Sequence, residues 1–156
     1  MPAKALDPTT RDLYDLDFFE WTVRNAELIR AGRWDQADLE HVAQEIQNRG
    51  ASEQRALASH LRVLVKHLLK WKFQPARRSQ SWRAAIIVQR SDLARLLKDM
   101  PSLRKLLPKE LLEIYFTAVV KAAAETRLPE DTFPATCPFS VDQILEPTFF
   151  PTEPLP

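Results

Sequence analysis

The chain has 156 residues, 45% of them apolar and 28% charged, with a formal net charge of +1, which is the make-up of one ordinary domain able to bury a core without a metal or a disulfide. Its lone Cys137 excludes an internal disulfide and a cysteine-based zinc site, and makes a cytoplasmic setting the expectation. The opening residues, MPAKALDPTTRD, lack the apolar run of a signal peptide, and no stretch approaches the roughly 18 uncharged apolar residues of a transmembrane helix, so no membrane is expected.

Two glycines against twelve prolines favour long helices over hairpins, which use glycine heavily. Strand-type alternation is absent, and the expected class is all-α: one domain over residues 1–156, a single bundle of about five main helices with an irregular proline-rich C-terminal arm. The termini, 1–11 and 147–156, are expected to be extended or flexible. Up-down packing of the first four helices follows from their short connections.

In chain order, the spacing of Tyr14, Phe18, Trp21, Leu28 and Ile29 predicts a first helix over residues 12–31. Acidic residues sit at its start, and Gly32 is placed to end it in the left-handed conformation. Leu39, Val42 and Ile46 supply the stripe of a second helix that begins near Asp35 or Asp38 and stops before Gly50. Ser52 is positioned to cap a third, which reads through Leu57, Leu61, Leu64 and Leu68 to Trp71 or Phe73 and breaks at Pro75. A fourth covers residues 81–98. A short turn follows Pro101, and Pro108 opens a fifth helix that Leu128 and Pro129 end. Beyond it the prolines are too dense for a regular helix, apart from one turn over residues 140–145. Phe133, Phe139, Ile144, Phe149 and Phe150 suggest that this arm packs on the bundle. Trp71 and Trp82 are expected to be mostly buried where the third and fourth helices meet.

The stretches LYDLDFFEWTVRNAELIRAGRWDQADLEHVAQEI, SHLRVLVKHLLKWKFQPARRSQSWRAAIIVQR, PSL and ETRLPEDTFPATCPFSVDQIL, with HLLKW, QP, SW and QR in that order, carry a resemblance. Over roughly residues 13–146 the chain resembles a bacterial family known as domain of unknown function 29. The resemblance implies a small all-helical protein and brings no activity with it. His41 stands where the family usually has Asn, Gln44-Glu45 where it has a Glu pair, and Ala37 where Leu is common.

Three constellations bear on function. Asp38, His41 and Glu45 fall near one helical face, where imidazole and carboxylate could share a metal or a proton; the expected role is a polar surface. His60 and His67 lie one heptad apart and could join Glu45, yet neutral, hydrogen-bonded histidines at a core edge are expected. Cys137 sits in a loop with no basic neighbour to activate its thiol. There is no Gly-rich phosphate loop and no nucleophile elbow, so no catalytic residue, cofactor or metal ligand is assigned.

The third constellation is basic. Residues 62–95 hold nine Lys or Arg and one acid, Asp92, against an almost neutral whole. Lys66, Lys70, Lys72, Arg77, Arg78, Arg83 and Arg90, interleaved with Trp71, Phe73 and Trp82, are the candidate polyanion-binding residues. The competing expectation is an internal ion-pair network with Glu40, Glu45, Glu113 and Glu125. The leading functional expectation is a non-enzymatic helical protein-interaction or assembly domain, self-associating or binding another protein. A nucleic-acid or polyanion-binding module is the alternative, and a metal-dependent enzyme the third.

Overall fold

A computed structural model describes residues 7–152. Among these residues there is no strand, and the class is all-α. The helices are α1 (Thr10–Leu16), α2 (Phe18–Arg30), α3 (Leu39–Phe73), α4 (Gln80–Asp99), α5 (Leu107–Thr126) and the short α6 (Val141–Leu145). No helix of the described residues is long and apolar enough to cross a membrane. Within the chain, which the sequence reads as one domain, two compact units are formed, Met1–Ser52 and Glu53–Pro156.

In the first unit, Thr9 caps α1 and shares a reciprocal capping box with Asp12. The helix predicted over residues 12–31 is divided at Asp17, which takes a non-helical conformation (φ −152°, ψ 87°) and accepts the Glu20 N–H on its side chain. Asp is a preferred N-cap, and Asp-Phe-Phe-Glu opens α2 on a local signal stronger than the continuity of the apolar stripe. The far end matches the expectation. Gly32 has φ +71°, and the bonds from Gly32 N to Ile29 O and from Arg33 N to Leu28 O form a Schellman motif.

A larger departure lies at Gly50 and Ser52, where the sequence suggests a break. Helix α3 runs through both without interruption, so the chain does not reverse there and the expected second and third helices are one. A glycine in a helix interior costs only about 1 kcal/mol relative to alanine, which the burial of Leu57, Leu61, Leu64 and Leu68 further along the same helix easily offsets.

The second unit is built on those leucines together with Ile86, Leu93, Leu107, Leu111, Ile114 and Ala118. Ser79 caps α4, accepting the Trp82 N–H. Pro101 starts a 3-10 turn over Pro101–Leu106, and Arg127 ends α5 in the left-handed region (φ 60°). The C-terminal arm enters the core as expected: Phe133, Phe139 and Ile144 are buried, and Phe149 and Phe150 pack against them. Ser140 and Gln143 form a capping box on α6. Of the expected extended termini, residues 1–6 and 153–156 lie outside the described residues, residues 10–11 are helical, and 147–152 are irregular. Trp71 and Trp82 keep only a minor part of their surface in water, in keeping with the expectation. Trp71 meets Phe150 at 5.1 Å between ring centres, and Trp82 lies 4.5 Å beneath the Lys70 ammonium.

Two stability outcomes follow. A Cβ added at Gly50 meets nothing within 4 Å, so Gly50→Ala should raise the free energy of unfolding by about 0.5–1 kcal/mol in urea titrations. Phe139→Ala, which empties a core position with 4% exposure, should lower it by about 3–5 kcal/mol. An unchanged Phe139→Ala protein would mean that the arm contributes nothing to the core.

Candidate functional site

Asp38 organises the first unit. It is buried, just ahead of α3, and its backbone N–H donates to Asn25 Oδ1 at 2.7 Å. Its carboxylate accepts the Trp21 indole N–H at 3.1 Å and meets His41 Nδ1 at 2.6 Å. Asn25 closes the loop by donating to the Trp21 carbonyl at 2.9 Å. Burial alone would raise the Asp38 pKa, but the bonds from His41 and Trp21 hold it below its ordinary value. A carboxylate on Nδ1 requires the proton there, leaving Nε2 as the acceptor in neutral imidazole. The Tyr14 ring stacks on His41 with centres 3.9 Å apart, and its hydroxyl donates to Glu45 Oε1 at 2.5 Å. That bond to a carboxylate, and then burial, raise the Tyr14 pKa.

The expected trio is therefore divided. Asp38 and His41 touch, while Glu45 serves Tyr14. An aspartate-oriented imidazole can act as a general base, yet here both carboxylates are spent on partners within the unit, and the arrangement fastens α1 and α2 to the start of α3. Tyr14, Trp21 and Asn25 are the members that the sequence reading left out; an asparagine on the apolar side of α2 is the one local sign of them.

Four of the seven basic candidates have internal acceptors: two lysines share one carboxylate, and two arginines take backbone carbonyls. Lys66 Nζ and Lys70 Nζ bond the two oxygens of Glu125 at 2.7 and 2.6 Å. Burial works against the Glu125 charge, but the two lysines outweigh it and bring the pKa down to about 2. Lys72 lies 5.9 Å from the Phe73 ring centre and 5.8 Å from that of Phe139. Arg78 donates from Nε to the Trp71 carbonyl at 2.8 Å and from Nη2 to the Thr152 carbonyl at 2.6 Å. Arg90, 5% exposed, donates from Nε to the Ile144 carbonyl at 2.8 Å and from Nη2 to that of Gln143 at 3.3 Å. Arg83 is exposed, with its guanidinium carbon 5.9 Å from the Phe150 ring centre, and Arg77 is exposed in the loop before α4.

Of the four glutamates expected to neutralise this region, Glu125 does so. Glu40 pairs with Arg11, Glu45 with Tyr14 and Glu113 with Lys109. The arginines turn instead to carbonyls of the arm. This has a physical cause: prolines contribute no N–H, and the last carbonyls of a helix have no intrahelical partner, so a proline-rich arm ending a short helix offers acceptors in need of donors.

The remaining candidates have separate partners. His60 Nδ1 lies 2.7 Å from Gln89 Oε1, and His67 Nδ1 donates to the Val63 carbonyl at 2.8 Å, with burial lowering its pKa. Burial raises the half-buried Cys137 thiol. Among the described residues no three of His, Cys, Asp and Glu gather so as to hold a metal ion.

The Glu125 pKa carries a pH prediction. Its ordinary value is 4.5 and its folded value about 2, so the unfolded chain binds the extra proton between them. The stabilisation is complete above 4.5 and is lost as the pH falls through about 2. In urea unfolding across that interval, Glu125→Gln should show a shallower loss of stability with acid than the unsubstituted protein. Parallel pH profiles would contradict the pairing.

No curated protein and no solved structure matches the chain. The family model described as "Domain of unknown function DUF29" matches residues 13–150. That span takes in the Asp38 network, the basic helices and all but the end of the described arm: the chain belongs to the DUF29 family.

Proposed function

We propose that the protein is a non-enzymatic interaction domain that self-assembles through an apolar face of its first unit. The observation that carries this reading is what that unit leaves in water. Among its described residues the buried apolar side chains are Leu13 and Trp21, whereas Phe19 is 77% exposed, Ile46 69% and Leu16 73%. The unit is fastened by the polar and aromatic contacts of Asp38, not by its apolar stripes. Thr22, Ala26 and Ile29 of α2, with Val42 and Ile46 of α3, line a groove of about 380 Å³, and Phe19 and Val23 continue the same side of α2. A contiguous apolar surface of this kind is the usual mark of an interface.

A second copy suits the groove because a face carried on two helical segments can meet itself about a two-fold axis and enclose a four-helix core. The reading extends to a bacterial cytoplasmic setting, supported by the single cysteine and the resemblance to a bacterial family. The polyanion alternative retains Arg77 and Arg83 as its exposed residues and draws less support.

Salt separates the two readings. The first unit has six basic and ten acidic residues, a charge of 6 − 10 = −4, so its self-association should strengthen as salt screens repulsion, whereas polyanion binding weakens steeply. In sedimentation equilibrium the protein should populate a dimer or larger oligomer. Phe19→Glu and Ile46→Glu should each shift it to monomer with unchanged helicity, and Phe116→Glu, on the second unit, should not. A monomer at every protein and salt concentration, or disruption by Phe116→Glu alone, would overturn the proposal.

A further inference from the structure

We infer that the second unit carries a binding site for a small phosphate-like oxyanion, in a cavity between α4, the Pro101–Leu106 turn and α6. The cavity encloses about 280 Å³, at the small end of the ~300–1,000 Å³ typical of ligand pockets. Arg90 and Lys98 of α4 and Arg104 of the turn line it, together with the apolar Ala94, Leu97 and Leu145. Three cations thus converge on one small space, and no carboxylate is among its lining residues. Among the described residues none of the three takes part in a salt bridge.

Arg90 sets the site's character. Its Nε and Nη2 bonds to the Ile144 and Gln143 carbonyls fix the guanidinium in place, while Nη1 is buried with no hydrogen-bond partner. The charge of Glu146 acts on Arg90, yet the Glu146 carboxylate is turned to the Thr148 N–H and hydroxyl at 3.2 and 2.8 Å. A buried guanidinium without a paired anion is costly, and an oxyanion in the cavity would lower that cost. Lys98 and Arg104 are exposed, so their long stems can close on a ligand from two sides. A planar guanidinium fork and a compact ammonium together suit a tetrahedral group with several acceptor oxygens. This site is independent of the assembly face on the first unit.

The test uses the full chain and inorganic phosphate, read by calorimetric titration and by thermal unfolding, with sodium chloride at matched ionic strength as reference. A ligand that binds only the folded state raises the melting temperature. Phosphate should bind saturably and raise it above the chloride value. The Lys98→Gln/Arg104→Gln double variant, altered only at exposed positions, should keep its melting temperature in chloride and bind phosphate at least about tenfold more weakly. Lys105→Gln, an exposed neighbour outside the cavity, should bind as the unsubstituted protein does. An equal rise in chloride would reduce the effect to screening and overturn the site. So would phosphate binding that the double variant leaves intact.

Discussion

The hydrogen bonds from the buried Arg90 guanidinium to the Ile144 and Gln143 carbonyls are the constraint on which the second unit depends. The C-terminal arm has prolines at 134, 138, 147 and 151, and its one short helix leaves its last carbonyls without partners. Such a chain cannot satisfy its own backbone when buried, and burial of unpaired carbonyls opposes packing. Arg90 supplies donors at Gln143 and Ile144 and Arg78 at Thr152, and between these points Leu145, Phe149 and Phe150 pack against the core. Charged donors form bonds worth about 1.5–3 kcal/mol each, and a buried carbonyl left unpaired costs about 1–3 kcal/mol. Of the nine basic residues over 62–95, four, Lys66, Lys70, Arg78 and Arg90, are therefore donors for the protein's own backbone and for Glu125.

The first unit solves a comparable problem with the opposite charge. Asp38 gathers a backbone bond to Asn25, an indole N–H and an imidazole, and Tyr14 extends the cluster by stacking on His41. Because this polar cluster holds the unit, its apolar side chains are not consumed in doing so. Phe19 and Ile46 remain in water beside an apolar groove, which is why the assembly reading is placed there; the second unit buries most of its leucines in a core and leaves Leu112 and Phe116 exposed.

Features encoded by neighbouring residues were legible in the sequence. Ser140, Pro108 and Gly32 mark helix ends through short-range bonds or fixed backbone angles, and the structure has ends at or beside each of them. Gly50 misled because its cost is local and small while the burial that outweighs it comes from leucines further along α3. Asp17 was readable as a cap, but the apolar spacing on either side of it argued for continuity. The spacing of Asp38 and His41 pointed to their contact. Trp21 and Tyr14 join them from 17 and 31 residues away from their partners, a distance at which spacing gives no guide. The arginines were harder still: counting charges directs attention to carboxylates, and backbone carbonyls, which every residue has, leave no mark in a sequence.

Amide hydrogen exchange on Arg90→Leu and Arg90→Lys tests the central role of that guanidinium most directly. Both variants should lose protection across α6 and the arm around it, with α1 and α2 unaffected. Lysine keeps the charge but cannot direct two bonds from one planar group, so it should not rescue the arm. Retained protection in Arg90→Leu, or full rescue by lysine, would contradict the account.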